Sequence, residues 1–145
     1  MKKLNPKLDV LFYKEMSLNL SNQGIVSLTF KKRKLLVRYP DDPTKEIKLP
    51  EGLKKLDCSG NQLTTLKDLP RELEELDCSG NLLKSLEDLP EGLKKLDFSG
   101  NQLTTLEDLP EGLKKLDCSG NLLESLEDLP EGLKKLDVLT TRLQV

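Results

Sequence analysis

The chain has 145 residues, 33% of them charged, a net charge of −2 and no histidine. That length suits one small domain, and the missing histidine removes the commonest general base and metal ligand. The charge is divided: residues 1–48 carry 11 Lys/Arg against 5 Asp/Glu, and residues 49–145 carry 12 against 20.

The N-terminal stretch does not read as a secretory leader, because Pro6, Lys7, Asp9 and Lys14 interrupt the apolar run such a leader needs. No run approaches the length of a membrane span. The expectation is a chain made in the cytoplasm without a Sec signal, with non-classical export or delivery into a host left open. Further on, Leu18-Asn-Leu20-Ser-Asn-Gln-Gly-Ile25-Val-Ser-Leu28 overlays Leu56-Asp-Cys58-Ser-Gly-Asn-Gln-Leu63-Thr-Thr-Leu66 position for position. Residues 1–48 therefore read as an N-terminal cap containing degenerate repeat sequence. Leu35 and Val37 supply either a further coil of that kind or, with residues 26–30 and 34–39, a hairpin around Lys31-Lys32-Arg33-Lys34. Phe12, Tyr13, Phe30 and Tyr39 are four of the five aromatics, the bulk expected of a cap. The four basic residues read as a solvated tip that keeps a sheet edge soluble, and no nucleic-acid partner is expected.

From Leu49 the segment Leu-Pro-Glu-Gly-Leu-Lys-Lys-Leu-Asp-Cys-Ser-Gly-Asn recurs with little change every 20 residues, at Leu49, Leu69, Leu89, Leu109 and Leu129. Residues 49–145 are thus regular repeats, four full 20-residue units and a truncated fifth. So short a fixed period means stacked coils. In each coil Lys-Leu-Asp-Cys-Ser alternates polar and apolar, the pattern of a half-buried strand. The same alternation returns in the same chain direction, so the strands stack in parallel, about 4.8 Å apart. Leu53, Leu56, Cys58, Leu63 and Leu66 point inward and are buried only by neighbouring coils. Gly60, Gly80, Gly100 and Gly120 suit a turn where a Cβ is awkward. Asn61, Asn81, Asn101 and Asn121 form a structural ladder that pairs the backbone of that turn. On the return path Asp88-Leu-Pro-Glu91 resembles a capping box, repeated at Asp108–Glu111 and Asp128–Glu131, which predicts a short helical or extended turn on the convex side. The proline column equally allows polyproline II.

Cys58, Cys78 and Cys118 share one inward column with Phe98, which marks the column as core. Cys78 and Cys118 lie two strands apart, about 9–10 Å, too far for a disulfide. A reduced, structural role is expected, with no metal and no cofactor.

The pattern LxxLxLxxNxL, with Cys at the third apolar position, is that of leucine-rich repeats, and predicts a solenoid with parallel strands on its concave face. Leu86-Glu-Asp-Leu89-Pro90-Glu-Gly-Leu93-Lys-Lys-Leu96-Asp-Phe98-Ser-Gly-Asn101-Gln-Leu103-Thr-Thr-Leu106 resembles the repeat unit of bacterial effectors of the YopM and IpaH type, except that Glu87 replaces the first Pro. The resemblance covers residues 49–145. It implies a non-enzymatic protein-binding module, effector-like, with a protein partner; no catalytic residue is carried over.

Three outward columns are the candidates for partner binding: Lys55, Glu75, Lys95, Lys115 and Lys135; Asp57, Asp77, Asp97, Asp117 and Asp137; and Ser59, Ser79, Ser99 and Ser119. The face holds none of the Trp, Tyr or Arg that dominate binding hot spots. The aspartates repel one another, and the lysine column beside them compensates. Divalent cations on the Asp column are a minor alternative. The main alternative is a structural, self-associating solenoid, a weak homodimer through a C-terminal edge of Leu139, Arg142 and Leu143, where Leu139 breaks the Ser column.

Overall fold

The computed structural model describes residues 16–41, 43–49 and 51–139. Phe12 and Tyr13 of the expected cap, and Arg142 and Leu143 of the expected edge, lie outside the described residues. Among the described residues nine short strands form two sheets: β1 (Ser17–Asn19), β2 (Ser27–Lys31), β3 (Lys34–Arg38), β4 (Lys45–Lys48), β5 (Lys55–Asp57), β6 (Glu75–Asp77), β7 (Lys95–Asp97), β8 (Lys115–Asp117) and β9 (Lys135–Asp137). Six are parallel in the order β1-β5-β6-β7-β8-β9, and β2-β3-β4 form an antiparallel sheet between the first two of them in sequence.

The 20-residue period sets the register of the parallel sheet. Leu56 stands beside Leu76, Leu76 beside Leu96, Leu96 beside Leu116, and Leu116 beside Leu136. At the other end Leu18 stands beside Leu56 and Asn19 beside Asp57, so residues 18–28 open with a coil of the same sheet. Leu18, Leu20 and Ile25 are fully buried in it. Asn22, at φ 53°, takes the left-handed position that Gly60 takes at 65°. The backbone N–H of Asn22 donates to Ser59 O (2.9 Å) as that of Gly60 donates to Ser79 O (2.9 Å).

Residues 26–39 form a hairpin, and Leu35 and Val37 do not add a parallel coil. Leu28 pairs with Val37 and Phe30 with Leu35 in β2 and β3, around a turn at Lys32 and Arg33. β4 then adds Ile47 beside Leu35. Leu28, Phe30, Leu35 and Val37 are buried in the same apolar cluster as Leu53 and Leu56, and Tyr39 and Ile47 pack against it. The Arg33 guanidinium at the tip pairs with Glu51, and Lys34 with Glu46 at 3.3 Å.

The core is one continuous column of leucines, with Cys58, Cys78, Phe98 and Cys118 all completely buried. Each fully buried leucine contributes about 1.5–3 kcal/mol, mostly through contacts with the next coil. Burial raises the thiol pKa of Cys58 and Cys78 far above the ordinary value, and that of Cys118 to about 11, with neighbouring aspartates adding to the effect. The three thiols are free and inert in this setting.

The convex side takes the extended form of the two expected, and only the capping-box reading is corrected. Among the described residues no helix forms there; the chain runs extended, and single turns close from Leu73 N–H to Pro70 O (3.3 Å) and from Leu93 N–H to Pro90 O (3.2 Å). Asp68, Asp88, Asp108 and Asp128 have φ between 51° and 56°. An N-cap residue takes extended dihedrals, so Asp88–Glu91 and its repeats are not capping boxes. Aspartate is among the few residues that tolerate the left-handed region, and here it turns the chain into the next coil. Arg71 braces one such turn, donating to Asp88 O at 2.7 Å.

Candidate functional site

The parallel strands line an open trough of about 520 Å³ on the concave face, passing along Leu18, Leu56, Leu76, Leu96 and Leu116, whose side chains are buried in the core. Its rims are the Lys/Glu and Asp columns, because alternate residues of a strand face opposite ways. The structure brings the sequence-derived candidates Lys55, Asp57, Glu75, Asp77, Lys95, Asp97, Lys115, Asp117, Lys135 and Asp137 together around this trough. Ser59, Ser79, Ser99 and Ser119 follow beside them, where they contact the aspartates.

The Asp column has a local task. Asp57 Oδ1 accepts from the Ser59 backbone N–H (3.0 Å) and from the Ser59 hydroxyl (2.6 Å). Asp77 with Ser79, Asp97 with Ser99 and Asp117 with Ser119 repeat both bonds. Asn19 makes the same two bonds to Ser21, at 2.9 and 2.6 Å. The turn therefore needs an oxygen acceptor at this position and not a negative charge. Among the described residues no three His, Cys, Asp or Glu side chains gather as ligands for a metal ion.

The charge carries a penalty at the middle of the column. Partial burial raises the Asp97 carboxyl above its ordinary pKa, Asp77 and Asp117 push the same way, and the Ser99 bonds oppose them. A carboxyl raised on folding favours the protonated folded state, so its penalty is complete above the folded pKa and disappears as pH falls below the unfolded one. Asp97→Asn is accordingly expected to melt higher than the wild type at neutral pH. Its margin should shrink as pH falls through the folded Asp97 pKa and vanish below the ordinary aspartate value. Paired melting curves check this; a variant less stable than wild type at neutral pH would count against the assignment.

The lysine column is neutralised at one end only. Glu75 sits between Lys55 (3.7 Å) and Lys95 (3.2 Å), and Glu74 between Lys54 (3.4 Å) and Lys94 (2.8 Å). The Lys94 hydrogen bond and charge, with Lys54 behind them, lower the pKa of the half-buried Glu74, and Glu74 raises that of Lys94. Beyond β7 no glutamate interrupts the files, and Lys95, Lys115 and Lys135 stand directly beside one another. The neighbouring file of Lys54, Glu74, Lys94, Lys114 and Lys134 was not among the sequence candidates. It repeats with the same 20-residue period and the same single acidic coil, and that parallel was the available signal.

The family model for leucine-rich repeats in two copies matches residues 51–91, 71–111 and 91–131. Among solved structures, YopM from Yersinia enterocolitica WA-314 is 41% identical over 67% of this chain, with a TM-score of 0.62. A Shigella effector leucine-rich-repeat domain is 28% identical over 97% of the chain, with a TM-score of 0.73. YopM from Yersinia pestis, described as a leucine-rich effector protein, is 36% identical over 66%, with a TM-score of 0.54. The matches span 22%, 64% and 33% of those three chains, respectively. No curated protein matches the sequence significantly.

Proposed function

Because the chain belongs to the leucine-rich-repeat family, whose members typically act as non-enzymatic protein-interaction modules, we propose that it binds a protein partner in an effector-like role, through the concave trough. The observation that carries this reading is the file Lys95, Lys115 and Lys135 beside Asp97, Asp117 and Asp137, in which Glu75 reaches Lys95 and no second glutamate follows it. Like charges at strand spacing are destabilising, and glutamate relieves them in only one coil. A partner segment lying along the solenoid axis, with acidic groups over the lysines, would supply the missing compensation. Without aromatic or arginine anchors, such binding depends on charge, weakens with salt and changes chiefly in its association rate. The role is binding and not catalysis: the trough is open to water, and four of its aspartates are engaged by serines.

The test compares captures by the wild-type chain, by Lys95→Glu with Lys115→Glu, and by a convex control, Glu91→Lys with Glu111→Lys. A stoichiometric partner held by the wild type and the control, and lost from the concave variant, is the expected result. A partner indifferent to the concave change, or lost with the convex one, would place binding elsewhere.

A further inference from the structure

β9 is the last described strand of the parallel sheet, and among the described residues it is hydrogen-bonded on one side only, to β8. Its coil is incompletely covered. Leu133, Leu136 and Val138 are half-buried, whereas Leu113, Leu116 and Cys118, the same positions one coil earlier, are buried. Leu139 replaces the serine of every other coil and is 76% exposed. We propose that this edge binds the same edge of a second copy, with the two β9 strands antiparallel and centred on Leu136.

The argument rests on the order of charges in the strand Lys135-Leu136-Asp137. In the parallel sheet of one chain, equal positions stand side by side, so Lys115 faces Lys135 and Asp117 faces Asp137. Antiparallel pairing about Leu136 reverses this: Lys135 stands opposite the second copy's Asp137, and Asp137 opposite the second copy's Lys135. The strand is self-complementary only in that arrangement, and opposite charges directly across a strand pair are stabilising. A two-fold axis perpendicular to the sheet also keeps both inward faces on the same side. The half-exposed Leu133, Leu136 and Val138 of the two copies then meet across the junction. Asp137 differs from the other aspartates in that Leu139 stands where they have a serine hydroxyl.

Head-to-tail addition of β9 to β1 is the competing geometry. It would set Lys135 beside Ser17 and Asp137 beside Asn19, with no charge pair, and it builds open chains in place of a closed dimer. The two-fold contact shares Lys135 and Asp137 with the trough, but it is read on the purified chain alone, so its failure and that of partner binding are distinguishable.

A charge-swap cycle on the full-length chain, read by sedimentation, tests the proposal. The wild type should show a concentration-dependent dimer. Lys135→Asp and Asp137→Lys each place like charges opposite one another and should weaken the dimer about tenfold or more. Mixing the two variants sets a strand with two acidic ends against a strand with two basic ends, and should restore a dimer. The double swap in one chain should restore it as well. Melting curves confirm that each variant is folded, and Lys135, being exposed, provides a single change that leaves the core alone. A wild-type monomer at about 0.5 mM, single variants that dimerise unchanged, or species growing beyond the dimer would each overturn the proposal.

Discussion

Replacing Leu96 by aspartate is expected to abolish cooperative unfolding near neutral pH, while Leu136→Asp leaves a folded chain with a lowered melting temperature. Leu96 is 2% exposed at the centre of β7, flanked in register by Leu76 and Leu116. An unpaired carboxylate there loses the leucine's burial and adds its own desolvation, together about 5 kcal/mol or more. That is comparable with the whole stability of a small domain, about 5–15 kcal/mol. In a stack held by nearest-neighbour contacts, the damage also uncouples the coils on the two sides. Leu136 is half-buried, so the new carboxylate keeps access to water and about 1–2 kcal/mol is lost. Leu53 is as buried as Leu96, and Leu53→Asp should be equally severe. Circular dichroism melting checks all three. Equal melting temperatures for the Leu96 and Leu136 variants would contradict the stacked-core account.

The register of the parallel sheet was legible in the sequence because the 20-residue period leaves Leu56, Leu76 and Leu96 a single alignment. The convex path was not. Asp88-Leu-Pro-Glu91 satisfies the residue preferences of a helix N-terminus, yet aspartate also tolerates the left-handed turn that the structure adopts at φ 51°. Local preference alone does not separate those two uses. Residues 26–39 were ambiguous for another reason: Leu35 and Val37 alternate in the same way in a parallel coil and in a hairpin. The choice rests on pairing with Leu28 and Phe30, which a one-residue-type pattern does not report. At the candidate site, the columns were readable from the repeat, and so was the exception at Glu75. The Asp–Ser bonds were not read, although a spacing of two residues favours such a side-chain-to-backbone turn. Asn19 and Ser21 preserve that bond without the charge, which separates the structural part of the Asp column from its electrostatic part.

Asn101→Ala should cost about 2–4 kcal/mol, and Asn101→Asp at least as much at neutral pH but with recovery in acid. Asn101 is buried, and its Nδ2 donates to Phe98 O (2.8 Å) in its own coil and to Cys78 O (3.0 Å) in the preceding one. Its Oδ1 accepts from the Leu83 backbone N–H at 3.0 Å. The carbonyls are shared: Cys78 O also accepts from Asn81, and Phe98 O from Asn121. Truncation to alanine therefore leaves each carbonyl a second partner and orphans the Leu83 N–H, a buried donor of the kind native proteins rarely leave unpaired. Aspartate would restore an acceptor for Leu83 but turn a second carboxylate oxygen toward two carbonyls. Burial and those carbonyls would raise its carboxyl pKa, so the charged form is penalised above that value and the protonated form, able to donate, is favoured below it. Stability of the aspartate variant relative to the alanine variant should thus rise as pH falls through the carboxylate range. Gln102→Ala, at the half-exposed next position, serves as a control and should stay within about 0.5 kcal/mol of wild type. Denaturant titrations at two pH values measure all three. An alanine variant within about 0.5 kcal/mol of wild type, or an aspartate variant that gains nothing in acid, would show that the asparagine column does not hold the coils together.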